Sequence, residues 1–183
     1  MAEQQSSLER RIRAIEDRLE IYNLIAGHPP SADTGAAAYA EAVYTEDGVF
    51  DRGPGLAGAT GNKVMGALLQ SPGHQAAIAG GLAHFTGLPH VTVEGDTAVV
   101  ISYLQILTPR KSGEEIEVPN HGASRGYHIH RVVTNRWDLV RTSPGGRSSG
   151  AHCARSTARS RRGTFCAGRL KHSKGAPEGR RHP

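Results

Sequence analysis

The chain has 183 residues, of which 37% are hydrophobic, and it carries a net charge of +5, which fits one domain with a tail. Its two cysteines exclude a disulfide framework and a four-thiolate zinc site. No run approaches the ~18 apolar residues that a membrane span needs, and the first residues lack a secretory signal, so we expect a cytoplasmic protein without a membrane partner.

The first predicted element is an amphipathic helix over residues 7–27. Its apolar residues recur in alternating steps of four and three, which places them on one face of the helix. This stripe covers about two heptads, so we expect it to pack on a sheet and not in a coiled coil. Gly27, followed by His-Pro-Pro, predicts the end of the helix. The stripe consists of Leu8, Ile12, Ile15, Leu19 and Tyr22.

A second helix is predicted over residues 34–44, with Asp33 or Thr34 as its N-cap. A turn and a short strand over 49–51 follow it. Beyond a loop rich in glycine and proline, residues 62–69 predict a short helix.

The hydrophobic pattern changes to period two after residue 81, which indicates β-strands. Helices followed by antiparallel strands predict an α+β fold in which the helices cover one face of a curved sheet. The predicted elements are a strand over 82–93 that is interrupted at 87–89, a hairpin turn at 94–96, a strand over 97–107, a polar loop over 109–120 and a strand over 127–141.

Most of the positive charge lies at the end of the chain. Residues 142–183 hold ten Lys and Arg residues against one acid, a net charge of +9, whereas residues 1–141 have a net charge of −4. The first part therefore has no basic stripe, and nucleic acid is expected to bind only non-specifically, through the tail. Because the tail is poor in apolar residues, we predict a domain over 1–147 and an unpacked Arg/Ser/Gly-rich tail over 148–183.

Several short motifs share one order along residues 8–141. After the amphipathic helix come Asp33, an acidic turn at 46–48, the segment His-Phe-Thr-Gly at 84–87 and the segment Thr-Asn-Arg-Trp at 134–137. This order resembles the SnoaL-like branch of the NTF2-like superfamily, which includes scytalone dehydratase, bile-acid dehydratase and hexachlorocyclohexane dehydrochlorinase. The resemblance implies a cone-shaped α+β fold and a lyase that needs neither cofactor nor metal.

The resemblance also implies an active site. In the enzymes of this family an Asp/His pair lies in a pocket between helix and sheet, and the matching residues are Asp33 and His84. A neutral imidazole is a suitable general base, and a carboxylate on its other nitrogen fixes the tautomer. His130 matches a second histidine that assists elimination. His28 matches a residue that touches the leaving group.

Each of these residues also has a structural interpretation. Asp33 alone is a helix N-cap, His84 alone is a buried strand histidine, and His28 before two prolines is typical of a solvated loop. Tyr103 and Asn135 either line the pocket or pack in the core. Several histidines in one pocket are also compatible with a metal, although no His-Glu-x-x-His motif is present.

The chain departs from the family near Gly146. An Arg-Ser-Ser-Gly segment at 147–150 stands where an apolar strand is expected, so the last strand is either missing or altered. We interpret the abrupt change in composition as a frameshift in a GC-rich gene, which resequencing would test. Loss of a strand exposes a sheet edge and opens the pocket.

Three functions remain open from the sequence. The first is a dehydratase or dehydrochlorinase acting on a small hydrophobic cyclic substrate, with isomerase or cyclase activity as variants, in a homo-oligomer (dimer or trimer). The second is a non-catalytic ligand-binding or oligomerisation module, since fold does not dictate function. The third is a nucleic-acid binder through the tail, with affinity that falls steeply with salt.

Overall fold

The computed structural model describes residues 2–53, 55–142 and 152–157, which form four helices and nine strands. None of the described helices is both long and apolar enough to cross a membrane. The helices are α1 (Ala2–Thr34), α2 (Ala37–Val43), α3 (Asn62–Leu69) and α4 (Pro72–Ala79). The strands are β1 (Val49–Asp51), β2 (Ala59–Thr60), β3 (Ala83–Thr86), β4 (His90–Glu94), β5 (Thr97–Pro109), β6 (Ile116–Val118), β7 (Gly122–Ser124), β8 (Tyr127–Arg141) and β9 (His152–Thr157).

Seven of the described strands form one sheet in the order β2-β1-β9-β8-β5-β3, and β4 also pairs with β5. All of these pairs are antiparallel except β1 with β9, and β6 and β7 form a separate hairpin. The long β5–β8 pair runs from Thr97 opposite Val140 to Pro109 opposite Tyr127. The predicted α+β fold is confirmed.

One face of the sheet forms the core together with the first three helices. Even-numbered residues of the first half of β5, such as Val100, and odd-numbered residues of β8, such as Trp137, are buried. They pack against Ile21 and Ile25 of α1 and against residues of α2 and α3. Because strand side chains alternate, the intervening residues lie on the opposite, outer face.

Helix α1 is longer than predicted, because it does not end at Gly27 but continues through Pro29 and Pro30 to Thr34. Prolines lack the amide donors of a helix interior, and tertiary contacts stabilise this segment instead. The Tyr39 hydroxyl donates a hydrogen bond to the carbonyl of Leu24 at 3.1 Å. The absence of a side chain at Gly27 permits this contact, because a Cβ at this position would overlap the Tyr39 hydroxyl.

The predicted packing of the α1 stripe on the sheet is wrong for its first four members, which are 46–57% exposed. The helix uses a different face for its own core, centred on Ile21 and Ile25. Apolar residues spaced three and four apart identify the apolar face of a helix but not the surface that it packs against, so the sequence could not show that this face is exposed. The exposed members are Leu8, Ile12, Ile15 and Leu19.

The strand predictions agree well with the structure. The interruption at 87–89 separates β3 from β4, and the turn at 95–96 joins β4 to β5. The predicted strand over 127–141 has the bounds of β8. The polar loop over 109–120 also contributes β6, and α4, β2 and β7 were not predicted.

Strand β9 lies within the segment predicted to be an unpacked tail. Its residues pair with β8 from Arg136 opposite Thr157 to Arg141 opposite His152, and with β1 on the other side. Backbone groups alone make these hydrogen bonds, so a segment without an apolar pattern still joins the sheet. The prediction of an unpacked tail is corrected for residues 152–157. Its remaining part lies outside the described residues, as does the predicted break near Gly146.

Candidate active site

Asp33 and His84 form a hydrogen-bonded pair between the end of α1 and strand β3. Asp33 Oδ1 lies 2.6 Å from His84 Nδ1, and Asp33 Oδ2 accepts the backbone N–H of His84 at 2.9 Å. Both side chains are largely buried, with 11% of His84 and 25% of Asp33 exposed. The two bonds fix the ring and leave Nε2 without a hydrogen bond to any described residue.

The extended helix α1 determines the position of Asp33. It places this residue in the last turn, so Asp33 is not the N-cap of α2, which begins after Ala36 without a side-chain cap. The structural interpretation of Asp33 as an N-cap is therefore wrong. Both carboxylate oxygens instead face the strand that carries His84.

His28 lies beside the pair and packs against the core residue Trp137. Its ring centroid is 6.5 Å from that of His84 and 4.9 Å from that of Trp137, both in edge-to-face orientation. Burial lowers the pKa of His28 from 6.5 to about 4, helped by the proximity of His84 and opposed by the charge of Asp33. His28 is thus a neutral imidazole at neutral pH, and it is not the solvated loop residue of the alternative interpretation.

Four buried polar atoms on the inner face of the sheet have no hydrogen-bond partner among the described residues. They are Thr86 Oγ1, Ser102 Oγ, Asn135 Oδ1 and Trp137 Nε1. Ser102 and Asn135 lie opposite each other on β5 and β8, and both are at most 4% exposed. Because a buried polar group without a partner costs about 1–3 kcal/mol, these atoms are suited to a polar ligand or water.

His84 borders a pocket of about 430 Å³ between α1 and β3, and Asp33 does not line it. Apolar groups from the two elements and from the loop after β3 supply most of its wall. His28 and Trp137 border a separate cavity of about 10 Å³, which has room for about one water molecule. The wall of the larger pocket consists of Tyr22, Ile25, Ala26, Pro29, His84, Phe85, Thr86, Gly87, Leu88 and Pro89.

Tyr103 and His130 do not join this group. Tyr103 is half-exposed on the outer face of the sheet, between the buried residues Ser102 and Leu104. His130 sits at a β-bulge where it has no partner on β5, and it borders an open groove of about 840 Å³ with His128 and Arg110. Of the residues predicted from the sequence, the structure therefore brings together Asp33, His84 and His28, and it buries Asn135 on the inner face of the sheet without a hydrogen bond to any of the three.

The polar residues Thr86 and Ser102 were not singled out from the sequence. Thr86 follows His84 by two residues in β3, and period two alone places both on one face. The period-two pattern of β3 could therefore have identified Thr86 from the sequence. Ser102 required the register of β5 on β8, which the sequence does not supply. The described residues contain no cluster of three or more His, Cys, Asp or Glu side chains that could hold a metal.

Comparison with known proteins agrees with this architecture. The SnoaL-like domain family matches residues 13–147. An NTF2-like protein with a cystatin-like fold from Novosphingobium aromaticivorans is 34% identical, with a TM-score of 0.69 over 84% of this chain and 88% of that chain. No functionally curated protein matches the chain.

More distant solved structures share the fold. A Catenulispora acidiphila protein in complex with S-DNPA is 19% identical, with a TM-score of 0.55 over 78% of this chain and 91% of that one. ActVI-ORFA from Streptomyces coelicolor is 18% identical, with a TM-score of 0.56 over 77% and 96%. With the family match extending over most of its length, the chain belongs to the SnoaL-like domain family of the NTF2-like superfamily.

Proposed function

We propose that this protein is a cofactor-independent lyase that removes a hydroxyl or halide leaving group from a small hydrophobic cyclic substrate. The observation that carries the proposal is the 2.6 Å contact between Asp33 Oδ1 and His84 Nδ1 at the edge of an apolar pocket. A carboxylate on one ring nitrogen leaves the other nitrogen as the base, which is the arrangement that general-base catalysis needs.

In the proposed reaction His84 Nε2 takes a proton from a carbon next to the one that carries the leaving group. The electrons of the broken C–H bond form the new C=C bond, and the leaving group departs with the electrons of its own bond. Asp33 stabilises the imidazolium formed at His84. A departing hydroxide takes this proton and leaves as water, whereas with a halide the proton passes to solvent.

The buried polar groups supply binding contacts in this proposal. Neutral His28 donates or accepts a hydrogen bond, and its low pKa makes it a poor source of a full proton at neutral pH. Thr86 borders the same pocket as His84 and has a free hydroxyl oxygen among the described residues. We therefore propose that Thr86, and not His130, contacts the oxygen or halogen of the ring, and that His28, which borders the separate small cavity, contacts a water molecule there.

The alternative is a non-catalytic ligand-binding module, which needs the pocket but not the Asp33–His84 pair. The Catenulispora acidiphila structure in complex with S-DNPA is compatible with a small ligand in this fold. We also propose a cytoplasmic location, self-association of the chain and a domain that extends through β9. Non-specific nucleic-acid binding stays a prediction for the basic tail.

The test uses small rings that bear a hydroxyl or chloride next to a carbon with an acidic C–H bond. NMR in D2O follows both the alkene product and exchange of that hydrogen, which reports proton abstraction even without elimination. We expect His84→Ala and Asp33→Asn each to lower the rate by roughly 100-fold or more. The double variant should lose little beyond the worse single variant, because the two residues act as one unit.

His90→Ala is the matched control, because His90 is an exposed histidine on the neighbouring strand β4. It should retain the parent rate. A folded His84→Ala protein that exchanges and eliminates at the parent rate would exclude the mechanism. A ligand that binds equally to the parent and to His84→Ala, with neither exchange nor turnover in either, would establish the binding module instead.

A further inference from the structure

Helix α1 has two apolar faces on opposite sides. One face, with Ile21 and Ile25, is fully buried in the core of its own chain. The other face consists of the four half-exposed residues noted above, and we call these the α1 seam: Leu8, Ile12, Ile15 and Leu19. At about 100° per residue the α1 seam points away from the core face, so the described body of the chain does not cover it.

The α1 seam has the spacing of a coiled coil. Its steps of four, three and four residues match heptad positions d, a, d and a, with Leu8 at the first d position and Leu19 at the last a position. Tyr22 continues the pattern at the next d position. Large aliphatic side chains at successive a and d positions are typical of a helix that pairs with another helix.

The charges beside the α1 seam are also ordered. The e positions are occupied by Glu9 and Glu16, and the g positions by Arg11 and Arg18. All four are exposed, and none forms an ion pair within the described part of the chain. Residues at e and g flank the partner helix in a coiled coil and determine its orientation.

This charge pattern distinguishes the two orientations of a symmetric helix pair. In a parallel pair each g residue faces the e residue five positions further along the partner helix, so Arg11 meets Glu16 of the other copy, twice per dimer. In an antiparallel pair g faces g and e faces e, which opposes arginine to arginine and glutamate to glutamate. The sequence is complementary only in the parallel orientation.

We propose that the α1 seam binds the α1 seam of a second copy of this chain, as a short parallel two-stranded coiled coil. The C-terminal half of α1 is anchored in the core through Ile21 and Ile25, so the helix is already formed before it pairs. This lowers the cost of ordering two heptads, which would be marginal as free peptides. The two bodies lie on the outer sides of the helix pair.

The first experiment measures the mass of the full chain by analytical ultracentrifugation over a range of concentrations. We expect a dimer whose Kd rises roughly 100-fold or more in Ile12→Glu, because a charge then lies at the centre of the seam. Val132→Glu is the matched control: Val132 is equally exposed but lies on the outer face of the sheet. A monomeric parent, or a dimer that Val132→Glu disrupts and Ile12→Glu does not, overturns the proposal.

The second experiment tests the orientation. Arg11→Glu alone and Glu16→Arg alone each place like charges together, so each dimer should weaken roughly 3- to 10-fold. An equimolar mixture of the two variants restores complementary pairs and should dimerise as tightly as the parent. Arg13→Glu, at a position facing away from the seam, should have no effect. A tighter dimer with Arg11→Glu alone would indicate an antiparallel pair and overturn the parallel one.

Discussion

The buried imidazole of His28 makes the stability of this protein depend on pH in a defined window. Its pKa falls from 6.5 to about 4 on folding. Between pH 6.5 and about 4, His28 is therefore protonated in the unfolded chain and neutral in the folded chain. The stabilisation is complete above the unfolded pKa and is lost as the pH falls through this window, by about 1.4 kcal/mol per pH unit and about 3 kcal/mol in all.

His28→Phe isolates this effect, because it keeps a ring beside Trp137, whose centroid lies 4.9 Å away, and removes the titration. Urea unfolding followed by circular dichroism gives the free energy of unfolding of both proteins at about pH 7.5 and pH 5. Other titrating groups are common to both proteins and cancel. Between these two pH values the parent should lose about 2 kcal/mol more than His28→Phe. An equal loss in both proteins would refute the assignment of His28 as a buried neutral residue.

Two further predictions concern the edges of the fold. Arg141→Gln removes the guanidinium that lies 2.7 Å from the largely buried Asp17 carboxylate, and it should lower the free energy of unfolding in urea by about 1–3 kcal/mol. Asp96→Asn, at an 81% exposed site, should lower it by less than about 0.5 kcal/mol. Equal costs would show that the buried pair is not the stronger one. Truncation after Thr142 removes β9 and should lower Tm by roughly 10 °C or more. Truncation after Thr157 keeps β9 and should leave Tm unchanged. An unchanged Tm in both variants would contradict the pairing of β9.

The sheet was predicted better than the helices because its signals are local. The alternation over 127–141 and the turn at 95–96 depend on neighbouring residues, and both agree with the structure. The end of α1 depends on contacts that the sequence does not display. Gly27 and the two prolines are stop signals by propensity, but the packing of Tyr39 on the helix overrides them.

The residues of the candidate site were predicted through the resemblance and not through local patterns. Asp33 and His84 came from the resemblance to a family, and the structure brings them together. Tyr103 was misassigned because the sequence shows that a strand alternates but not which parity faces the helices, and one residue of register decides it. His130 lies away from the pair, at a bulge in β8 where it has no partner on β5, and its assigned role came from the resemblance alone.

The position of Asp33 itself favours a functional role over a structural one. A carboxylate in the last turn of a helix faces the negative end of the helix dipole, which costs about 0.3–1 kcal/mol. An N-cap role would have explained the acid without invoking His84, but α2 begins without a side-chain cap. What offsets the unfavourable end is the pair of bonds to His84, one to the backbone and one to the ring. Asparagine could keep both bonds only by donating its NH2 group to Nδ1, which would place the ring proton on Nε2 and remove the base. The acid is thus placed where it destabilises its own helix and orients a histidine, as a base and its positioning partner require.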